Sequence, residues 1–437
     1  MTYEEAMKYI SSVGRFGSNY GLKRTFRLLE LLGNPDKKLK LIHVAGTNGK
    51  GSTTAMITKV LRGMGYKVGM YTSPYIEEFE ERIQINGENI PKEKFVSLLV
   101  EVKEAVEKVI EEGYDHPTEF EILTALMFLY FYREKVDYGV VEVGLGGTLD
   151  STNVLTPIVS VITSISYDHM NILGDTIEEI AKQKAGIIKD NVPVVVYPAE
   201  KNVQDVIVKK AEVMNSKIRL VQKNSVKLLY INRDDIYQEI QVSTMKNEYK
   251  VKLPLLGAHQ MINLAVALNT IEVIFEGQNE KINVELVEKA LEDVEWKGRL
   301  EVLNKKPLIV IDGAHNIDGI KSLSYNVKKY FKYKRIILLL GILADKQVDE
   351  MIEEITPLAE QVYALTPHSD RAQLNQELKE KIVKYNKNVT AVEDYEEAAI
   401  KAISEADEDD LILISGSLYM IGDMRKILVK KLKNMVK

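Results

Sequence analysis

The sequence predicts an α/β protein with two domains. The first domain is expected to have a mainly parallel sheet and a small antiparallel patch, and the second another α/β sheet. Three observations predict this fold. Short apolar segments alternate with helical patterns along the chain, and the first of them runs into a glycine-rich loop. After the only tryptophan, the alternation of strand and helix starts again. Such alternation is typical of parallel sheets that carry helices on both faces.

Five apolar segments are the predicted strands of the first domain. Each is short, rich in branched or aromatic residues and nearly continuous in apolar residues, as strands buried on both faces are. They are LKLIHVAG (39–46), YKVGMYTS (66–73), YGVVEVG (138–144), IVSVITSI (158–165) and PVVVYP (193–198).

The remaining elements follow from changes in this pattern. Residues 218–253 alternate between polar and apolar around polar turns, which predicts the antiparallel patch, and residues 257–277 predict a long helix. The segment 293–302 holds the only tryptophan and is predicted to be a hinge. The predicted strands of the second domain lie in PLIVIDGAHN, RIILLLGIL, QVYALTP and DLILISGSLYMIG.

Composition excludes several classes of protein. The 437 residues carry a net charge of −6 without a long basic run, which argues against a nucleic-acid partner. The chain has no cysteine, so disulfides, thiol nucleophiles and thiolate metal sites are excluded and a reducing compartment fits. The N-terminus lacks a signal-peptide pattern, and the apolar run at 122–132 is shorter than the roughly 20 residues that span a bilayer. We therefore expect a cytoplasmic protein that does not bind membranes.

The stretch 39–52, LKLIHVAGTNGKGS, is the most informative part of the chain. A strand runs into the loop Gly46–Ser52, and a helical pattern follows at once. This order predicts a phosphate cradle, because glycines let backbone N–H groups surround an oxyanion and the helix points its positive end at it. Lys50 would reach a terminal phosphate, and Ser52 or Thr53 would contact a magnesium ion. The strict pattern G-x-x-x-x-G-K-[ST] is not met, since Val44 stands in place of its first glycine; the alternative is a glycine-rich turn without a ligand.

Polar residues at the ends of the predicted strands are the other candidates. They are Ser73, Glu142, the segment 164–169 and the segment 312–316. In open parallel sheets, ligands bind at the carboxyl ends of the strands. Since these residues come from both domains, we expect the site in the cleft between them.

Three of the candidates have two readings each. Glu142 ends an apolar strand, where a carboxylate is costly unless it is paired or metal-bound, and it would suit magnesium; alternatively it caps a helix or pairs with a lysine. His169, beside Asp168, could complete a metal or phosphate shell, although a lone histidine after a strand is more often a structural donor. Lys184 lies in a helical pattern, and composition alone predicts a solvated lysine.

Two further segments are ambiguous on spacing alone. Thr118 and Glu121 have the spacing of a capping box, from which no substrate role can be read. Asp312 and His315 follow a strand and could hold a ribose or adenine, or they could belong to a turn built from Asp and Gly. The chain has no G-x-S-x-G elbow, so a serine triad is not expected.

Seven segments together resemble folylpolyglutamate synthase and dihydrofolate synthase, which belong to the Mur ligase superfamily of ATP-dependent amide-bond-forming enzymes. They are HVAGTNGKGS, TSPYIEEFEERIQING, EVGLGGTLDSTN, DHMNILGDTIEEIAKQKAGIIK, GAHQMINLAVAL, WKGRLE and DGAHN. The resemblance covers nearly the whole chain. It implies a P-loop-containing ATPase domain over residues 1–295 and a Rossmann-like glutamate-ligase domain over residues 296–437.

The resemblance also implies roles for single residues. Lys50, His169 and Lys184 would be catalytic. The ATP-binding residues would be Thr47, Asn48, Gly49, Lys50, Gly51, Ser52, Asn263, Arg299, Asp312 and His315. Two magnesium ions would be held by Ser73, Glu142, His169 and Lys184, the last as a carbamate. The substrate would be bordered by Thr118, Glu119, Phe120, Glu121, Leu149, Asp150 and Ser151.

The implied reaction fits these residue types. Transfer of the γ-phosphoryl group of ATP to a carboxylate gives an acyl phosphate, which the amine of L-glutamate then attacks. Phosphoryl transfer needs positioning and charge neutralisation rather than a protein nucleophile, and the loop, Lys50 and magnesium would supply both. The expected partners are ATP, L-glutamate and a folate or dihydropteroate, and the protein is expected to be a monomer.

Two alternatives and one question stay open at this point. A Mur-type ligase of cell-wall precursors is one alternative, against which DGAHN, LGGTLDSTN and GKGS argue. A non-catalytic nucleotide-binding module is the other, but it would not need Glu142, His169 and Lys184 together. Tyr75, Thr148 and Ser151 differ from the residues common in the family. The sequence therefore does not say whether dihydropteroate, reduced folates or both are accepted.

Overall fold

The first sheet has eight strands, six of which are parallel. The computed structural model describes residues 1–13, 21–277 and 281–435. The strands are β1 (Leu41–Ala45), β2 (Val68–Tyr71), β3 (Ile83–Ile85), β4 (Glu88–Asn89), β5 (Tyr138–Glu142), β6 (Val159–Ile162), β7 (Val194–Val196) and β8 (Ile218–Leu220). Their order is β4-β3-β2-β5-β1-β6-β7-β8, with β3 and β4 antiparallel at one edge. β1 lies in the interior between β5 and β6, so the loop that follows it is flanked by two other strand ends.

Helices cover both faces of this sheet. They are α1 (Tyr3–Val13), α2 (Lys23–Leu31), α3 (Lys50–Gly63), α4 (Lys92–Glu111), α5 (Glu119–Arg133), α6 (Met170–Leu173), α7 (Ile177–Ala185), α8 (Lys201–Val213), α9 (Ala258–Glu276) and α10 (Val284–Leu291). Helices α4 and α5 pack in one apolar layer, whereas α3, α9 and α10 pack in another. Among the helices of the described ranges, α9 alone is long and apolar enough to cross a membrane by length and composition, and 72% of its apolar window is buried inside the protein.

The predicted antiparallel patch is confirmed, but it begins later than expected. Its strands are β9 (Val226–Asn232), β10 (Tyr237–Ser243) and β11 (Glu248–Leu253), in the order β11-β10-β9. The first residues of the predicted patch form β8 instead, which pairs in parallel with β7. Inward-facing residues such as Ile240 and Val251 join the core of the first domain. The antiparallel patch therefore packs against α9.

The second sheet has six strands and its own helices. Its strands are β12 (Glu301–Lys305), β13 (Leu308–Ile311), β14 (Ile336–Leu340), β15 (Gln361–Ala364), β16 (Val389–Ala391) and β17 (Leu411–Ser415). Their order is β12-β13-β17-β14-β15-β16, and only β12 is antiparallel. The helices are α11 (Ile317–Tyr330), α12 (Val348–Ile355), α13 (Asn375–Ile382), α14 (Tyr395–Glu405) and α15 (Leu418–Met435). Apolar clusters lie on both faces of this sheet. The α/β fold class is thus confirmed.

Partly buried ion pairs join the two sheet regions. Glu77, in the segment after β2, accepts hydrogen bonds from Arg425 Nη1 at 2.9 Å and from Lys297 Nζ at 3.0 Å. Arg425, in α15, also contacts Glu301 of β12 at 2.7 Å. Partial burial reduces solvent screening, so these pairs hold the cleft more firmly than exposed pairs would. The division at residue 295 stays a prediction, although no strand of either sheet crosses it.

The core helix α5 gives a test of this packing. Replacing the fully buried Leu126 with alanine should lower the free energy of unfolding by about 2–5 kcal/mol, because the removed methyl groups leave a cavity. Val213→Ala is the control, since this side chain is 73% exposed and its loss should change stability by no more than about 0.5 kcal/mol. Urea unfolding followed by circular dichroism measures both, and equal midpoints for the two variants would contradict the assignment of Leu126 to the core.

Candidate active site

The loop Gly46–Ser52 is fastened to the segment that follows β6. The N–H of Thr47 donates to the carbonyl of Ser164 at 2.7 Å, and Asn48 forms an isolated bridge with Ser164. The N–H of Ser166 donates to Thr47 Oγ1 at 3.1 Å. Because β1 and β6 are neighbours, these bonds hold the loop at the carboxyl edge of the sheet, where ligands of such sheets bind.

Two glycines of the loop have no room for a side chain. Gly46 has φ +153°, and a Cβ there would collide with the side chain of Thr163. Gly49 has φ +85° and precedes α3, and a Cβ there would lie 2.6 Å from Asn263 Oδ1. Both conformations are rarely adopted by other residues. The loop can therefore expose backbone N–H groups at the N-terminus of α3, which suits an anion.

Lys50 and Glu142 face each other beside the loop. Lys50 Nζ lies 3.9 Å from Glu142 Oε1 and donates to the carbonyl of Thr47 at 3.3 Å. The other oxygen of Glu142 accepts the N–H of Ser73 at 3.3 Å. Burial raises the pKa of Glu142 to about 7, against the opposing effect of Lys50. The alternative, a pairing of Glu142 with a lysine, is thus present, and the predicted metal-binding role stays compatible with it.

Lys184 is buried, so the solvated lysine expected from composition is wrong. Its side chain is 3% exposed, and Nζ donates to the carbonyl of Gly46 at 2.8 Å. Burial, with a further contribution from Lys50, lowers the pKa of Lys184 to about 7. A capping box between Thr176 and Glu179 begins α7. It fixes the start of a helix whose last turn reaches the back of the loop.

These residues line one cavity of about 400 Å³. It contains every residue predicted for ATP and for the metal ions, and its walls come from both sheet regions. These residues are Thr47, Asn48, Gly49, Lys50, Gly51, Ser52, Ser73, Glu142, His169, Lys184, Asn263, Arg299, Asp312 and His315. The structure thus brings the predicted set together, while the role of each residue stays a prediction.

Asp312 and His315 are built into the turn after β13. The two oxygens of Asp312 accept the N–H groups of Leu300 and Ala314, each at 2.8 Å. His315 Nδ1 lies 2.7 Å from the carbonyl of Gly313. Burial lowers the pKa of His315 to about 4, so its ring is neutral at pH 7. Asp312 and His315 therefore belong to a turn, as one of the two interpretations of the sequence expected. Both residues also line the first cavity.

Asp168 joins the two sheet regions at the edge of this cavity. It accepts Lys346 Nζ at 2.7 Å and Asn316 Nδ2 at 3.3 Å, and Asn316 Nδ2 also lies 3.3 Å from Asn48 Oδ1 in the loop. His169 Nε2 lies 3.9 Å from the same carboxylate. Burial opposes ionisation of Asp168, but Lys346 and neighbouring histidines hold its pKa below the usual range. Sequence reasoning missed Lys346, although it follows a strand of the second sheet.

A second cavity of about 610 Å³ adjoins the first. It is lined by all the residues predicted to border the substrate: Thr118, Glu119, Phe120, Glu121, Leu149, Asp150 and Ser151. Ser73, His169, His315 and the segment 144–146 line both cavities. Arg82, Lys346 and Arg371 also line the second cavity and were missed. Each stands beside acidic residues in the sequence, and no local pattern distinguishes it from an ordinary surface charge.

Two acidic residues of the second cavity are held by the protein itself. Glu121 forms the confirmed capping box of α5 with Thr118 and pairs with Arg24 at 3.2 Å. Asp150 accepts the N–H groups of Leu145 at 2.8 Å and Thr152 at 3.0 Å. Both carboxylates therefore shape the cavity wall.

His43 supports Asp150 from the interior of the sheet. Its Nε2 lies 2.8 Å from Thr152 Oγ1, and this hydroxyl donates to Asp150 Oδ1 at 2.5 Å. Since the hydroxyl donates to the carboxylate, His43 donates through Nε2–H. Burial lowers the pKa of His43 to about 3, so it stays neutral in the folded protein.

The donor set fits magnesium better than a transition metal. Across the described ranges, no three His, Asp or Glu side chains come close enough to hold a metal by themselves. The predicted set contributes only Glu142 and His169 of these types, with Ser73 and Lys184 beside them at the first cavity. Magnesium commonly keeps one or two carboxylates and takes its other ligands from waters and phosphates.

Comparison with known proteins agrees with this geometry. The Mur ligase middle domain matches residues 44–271, and the Mur ligase glutamate ligase domain matches residues 298–418. Dihydrofolate synthase/folylpolyglutamate synthase of Bacillus subtilis is 38% identical over 429 residues, covering 97% of this chain and 98% of that protein. Mycobacterium tuberculosis folylpolyglutamate synthase complexed with ADP and AMPPCP superimposes with a TM-score of 0.90 at 28% identity, covering 98% and 99% of the two chains. An FPGS–AMPPCP–folate complex superimposes with a TM-score of 0.85 at 35% identity, covering 98% and 100%.

The neutral state of His43 predicts a pH dependence of stability. Its pKa is about 3 when folded and about 6.5 when unfolded, so between these values only the unfolded chain binds the proton. Stability should therefore fall as the pH falls through this window, by about 1.4 kcal/mol per pH unit for one group. His43→Gln keeps a donor for Thr152. Between pH 6 and 4, this variant should take up one proton fewer on unfolding, so its free energy of unfolding should depend less steeply on pH. Urea unfolding at several pH values measures this, and identical slopes for both proteins would contradict it.

Proposed function

Because this chain belongs to the folylpolyglutamate synthase/dihydrofolate synthase family of Mur ligases, we propose that its two adjoining cavities hold ATP and the carboxylate substrate side by side. The protein is an ATP-dependent acid–amino-acid ligase that adds L-glutamate to folate. The observation that carries the proposal is the wall shared by both cavities at Ser73, His169 and His315. A phosphoryl donor in one cavity and an acceptor in the other would meet there.

ATP would occupy the first cavity. The N–H groups of the loop and the N-terminus of α3 would hold the phosphates, and Lys50 would contact the γ-phosphate. Asn263, Arg299, Asp312 and His315 would contact the rest of the nucleotide from the side of α9 and the second sheet. The relatives solved with ADP and AMPPCP support a nucleotide in this protein as well.

The chemistry proceeds in two transfers. A carboxylate oxygen of folate attacks the γ-phosphorus, the bond to the β-phosphate oxygen breaks, and ADP leaves. The amine of L-glutamate then attacks the acyl carbon of the acyl phosphate, loses a proton and releases inorganic phosphate. Lys50 would neutralise charge that develops on the transferring group.

Magnesium would be held by Ser73, Glu142, His169 and Lys184, in two sites as the family resemblance implies. When bound, it neutralises charge on the phosphate oxygens. The buried carboxylate of Glu142 at the wall of the first cavity supports this assignment, because a hard oxygen ligand there gains from a cation.

Lys184 would act as a carbamate. Carbon dioxide reacts with the neutral amine, forming a C–N bond and releasing one proton. The folded environment favours this form, since burial lowers the pKa of Lys184 to about 7. The carbamate would replace a buried cation by an anion beside the proposed metal ligands.

Folate would occupy the second cavity, and we propose dihydropteroate as a second acceptor. The support is the name of the Bacillus subtilis relative, which includes both activities. Phe120 and Leu149 offer apolar surface for the ring end of either substrate. We further propose that the protein is a cytoplasmic monomer whose domains divide near residue 295. The relatives named above are folate enzymes rather than cell-wall ligases or non-catalytic modules, which supports the folate assignment.

A substrate panel tests the proposed function. ADP release is measured with L-glutamate plus tetrahydrofolate, dihydropteroate or a muramyl precursor, and without acceptor, and the products are identified by mass. Glutamate-dependent ADP release with tetrahydrofolate and a product heavier by one glutamyl residue are expected. Absence of both would overturn the proposal, and the dihydropteroate arm decides whether one or two activities are present.

Lys50→Ala should lower glutamate-dependent ADP formation by about 10²–10³-fold, because charge stabilisation of the transferring phosphoryl group is lost. Lys59→Ala is a matched control, since Lys59 lies in the same helix and pairs with Asp293 at 2.9 Å, away from the loop. Initial rates at saturating ATP and thermal melting of both variants are compared. A folded Lys50→Ala enzyme with nearly normal turnover would refute the role of Lys50.

Lys184→Ala should be nearly inactive and partly rescued by acetate, which can replace the carboxylate end of the carbamate. The exposed neighbour Lys182 provides the control Lys182→Ala. A second measurement does not depend on activity: wild-type protein in ¹³C-bicarbonate should show a carbamate carbon signal that Lys184→Ala lacks. An active Lys184→Ala enzyme without this signal difference would remove Lys184 from the metal ligands.

A further inference from the structure

We infer that Arg82 binds the non-reacting carboxylate of a folate substrate and thereby favours folates over pteroates. This role rests on the proposed function, because it places the acceptor in the second cavity. A folate ends in a glutamyl residue with two carboxylates, one of which reacts while the other stays free. A pteroate has a single carboxylate, and that one must react. A cation that reads the second carboxylate would therefore separate the two classes of substrate.

The backbone holds Arg82 close to the junction of the two cavities. Arg82 ends the short helical turn Phe79–Arg82 that leads into β3. The carbonyl of Arg82 accepts the N–H of Thr72 at 3.0 Å. Ser73, which follows Thr72 in the chain, lines both cavities. Arg82 itself lines the second cavity. It therefore lies on the wall of the second cavity near the place where the reacting carboxylate would meet the phosphates.

The guanidinium group of Arg82 is poorly paired for its depth. Its side chain is 15% exposed, and in the part of the chain that the structure describes Nε has no hydrogen-bond partner. The ion pair recorded for it, Nη2 to Glu119 Oε1, spans 3.7 Å, which is too long for a hydrogen bond. The rings of Tyr75 and Phe79 lie 5.4 and 5.5 Å from the guanidinium carbon. Such contacts hold the plane of the group while its N–H donors stay available.

The other cations of this cavity have close partners. Lys346 lies 2.7 Å from Asp168, and Arg371 lies 2.8 Å from Asp345. Within the described lining of the second cavity, Arg82 is thus the cation without a carboxylate at hydrogen-bond distance. A buried donor without a partner costs free energy, and a carboxylate that accepts two guanidinium N–H groups recovers it. A carboxylate of the substrate is the anion that the proposed reaction brings into this cavity.

A purely structural role is the competing explanation. In that case Arg82 would only pack between Tyr75, Phe79 and Glu119, and its loss would harm every substrate equally. The two explanations differ in their dependence on the ligand. Recognition of the second carboxylate acts only on substrates that have one.

The experiment combines protein variants with ligand variants. Wild type and Arg82→Met are assayed with tetrahydrofolate, with its monoamide in which the non-reacting carboxylate is a carboxamide, and with dihydropteroate. For tetrahydrofolate, Arg82→Met should raise KM by about 10- to 100-fold with a much smaller change in kcat, as expected for a binding contact that persists in the transition state. The monoamide should have a similarly raised KM with wild type and no further loss with the variant. KM for dihydropteroate should stay within about twofold.

Matched variants separate recognition from packing. Arg82→Lys keeps the charge but not the two-pronged geometry, and should recover part of the affinity for tetrahydrofolate. Arg133→Met removes an arginine of α5 that pairs with Glu101 on the surface, and should leave all three substrates unaffected. Thermal melting verifies that each variant folds.

Three results would overturn the inference. The first is an equal loss for tetrahydrofolate and its monoamide in Arg82→Met. The second is a wild-type enzyme that binds the monoamide as tightly as tetrahydrofolate, a comparison that stays decisive if Arg82→Met does not fold. The third is a wild-type enzyme that releases no ADP with tetrahydrofolate, which would remove the proposed function as well, whereas the first two leave it intact.

Discussion

The hydrogen bonds between the glycine-rich loop and the end of β6 are the constraint on which the site depends. Thr47 donates to Ser164 at 2.7 Å, and Gly46 adopts a backbone conformation in which a side chain would collide with Thr163. The carbonyl of the same glycine accepts Lys184 Nζ at 2.8 Å. One glycine therefore fixes the loop against the sheet and also fixes the buried lysine of α7. A change at this position would displace both together.

Burial makes the charged forms of Glu142 and Lys184 beside the loop costly. Lys50 faces Glu142 at 3.9 Å, and burial shifts the pKa values of Glu142 and Lys184 both to about 7. Glu142 and Lys184 each lose favourable hydration on burial. The partial pairing of Glu142 with Lys50 offsets some of this cost for Glu142. A polyphosphate entering the cavity would be attracted by the Lys50 cation. The site is therefore electrostatically prepared for a nucleotide.

Beside the cavities, polar contacts join the two sheet regions. Asp168 contacts Lys346 and Asn316, and Asn316 also reaches Asn48 in the loop. Such contacts lie at the rim of both cavities, so they connect the nucleotide loop with the wall of the substrate cavity. Since polar contacts exchange readily with water and ligand groups, this edge of the cleft can rearrange when substrates enter.

Local sequence pattern was sufficient for the longer elements, and tertiary structure decided the states of the side chains. The apolar strands, the capping boxes at Thr118 and Thr176 and the loop all follow from residues within a few positions of one another. Short edge strands such as Glu88–Asn89 escaped notice because two or three residues show no periodicity. The burial of Lys184 depends on Gly46, 138 positions away, and the poor pairing of Arg82 depends on which distant carboxylates come near it. The sequence pattern of one helix or strand predicts which of its faces is buried. The desolvation and charge pairing of a side chain on that face depend on the distant residues that the fold packs against it.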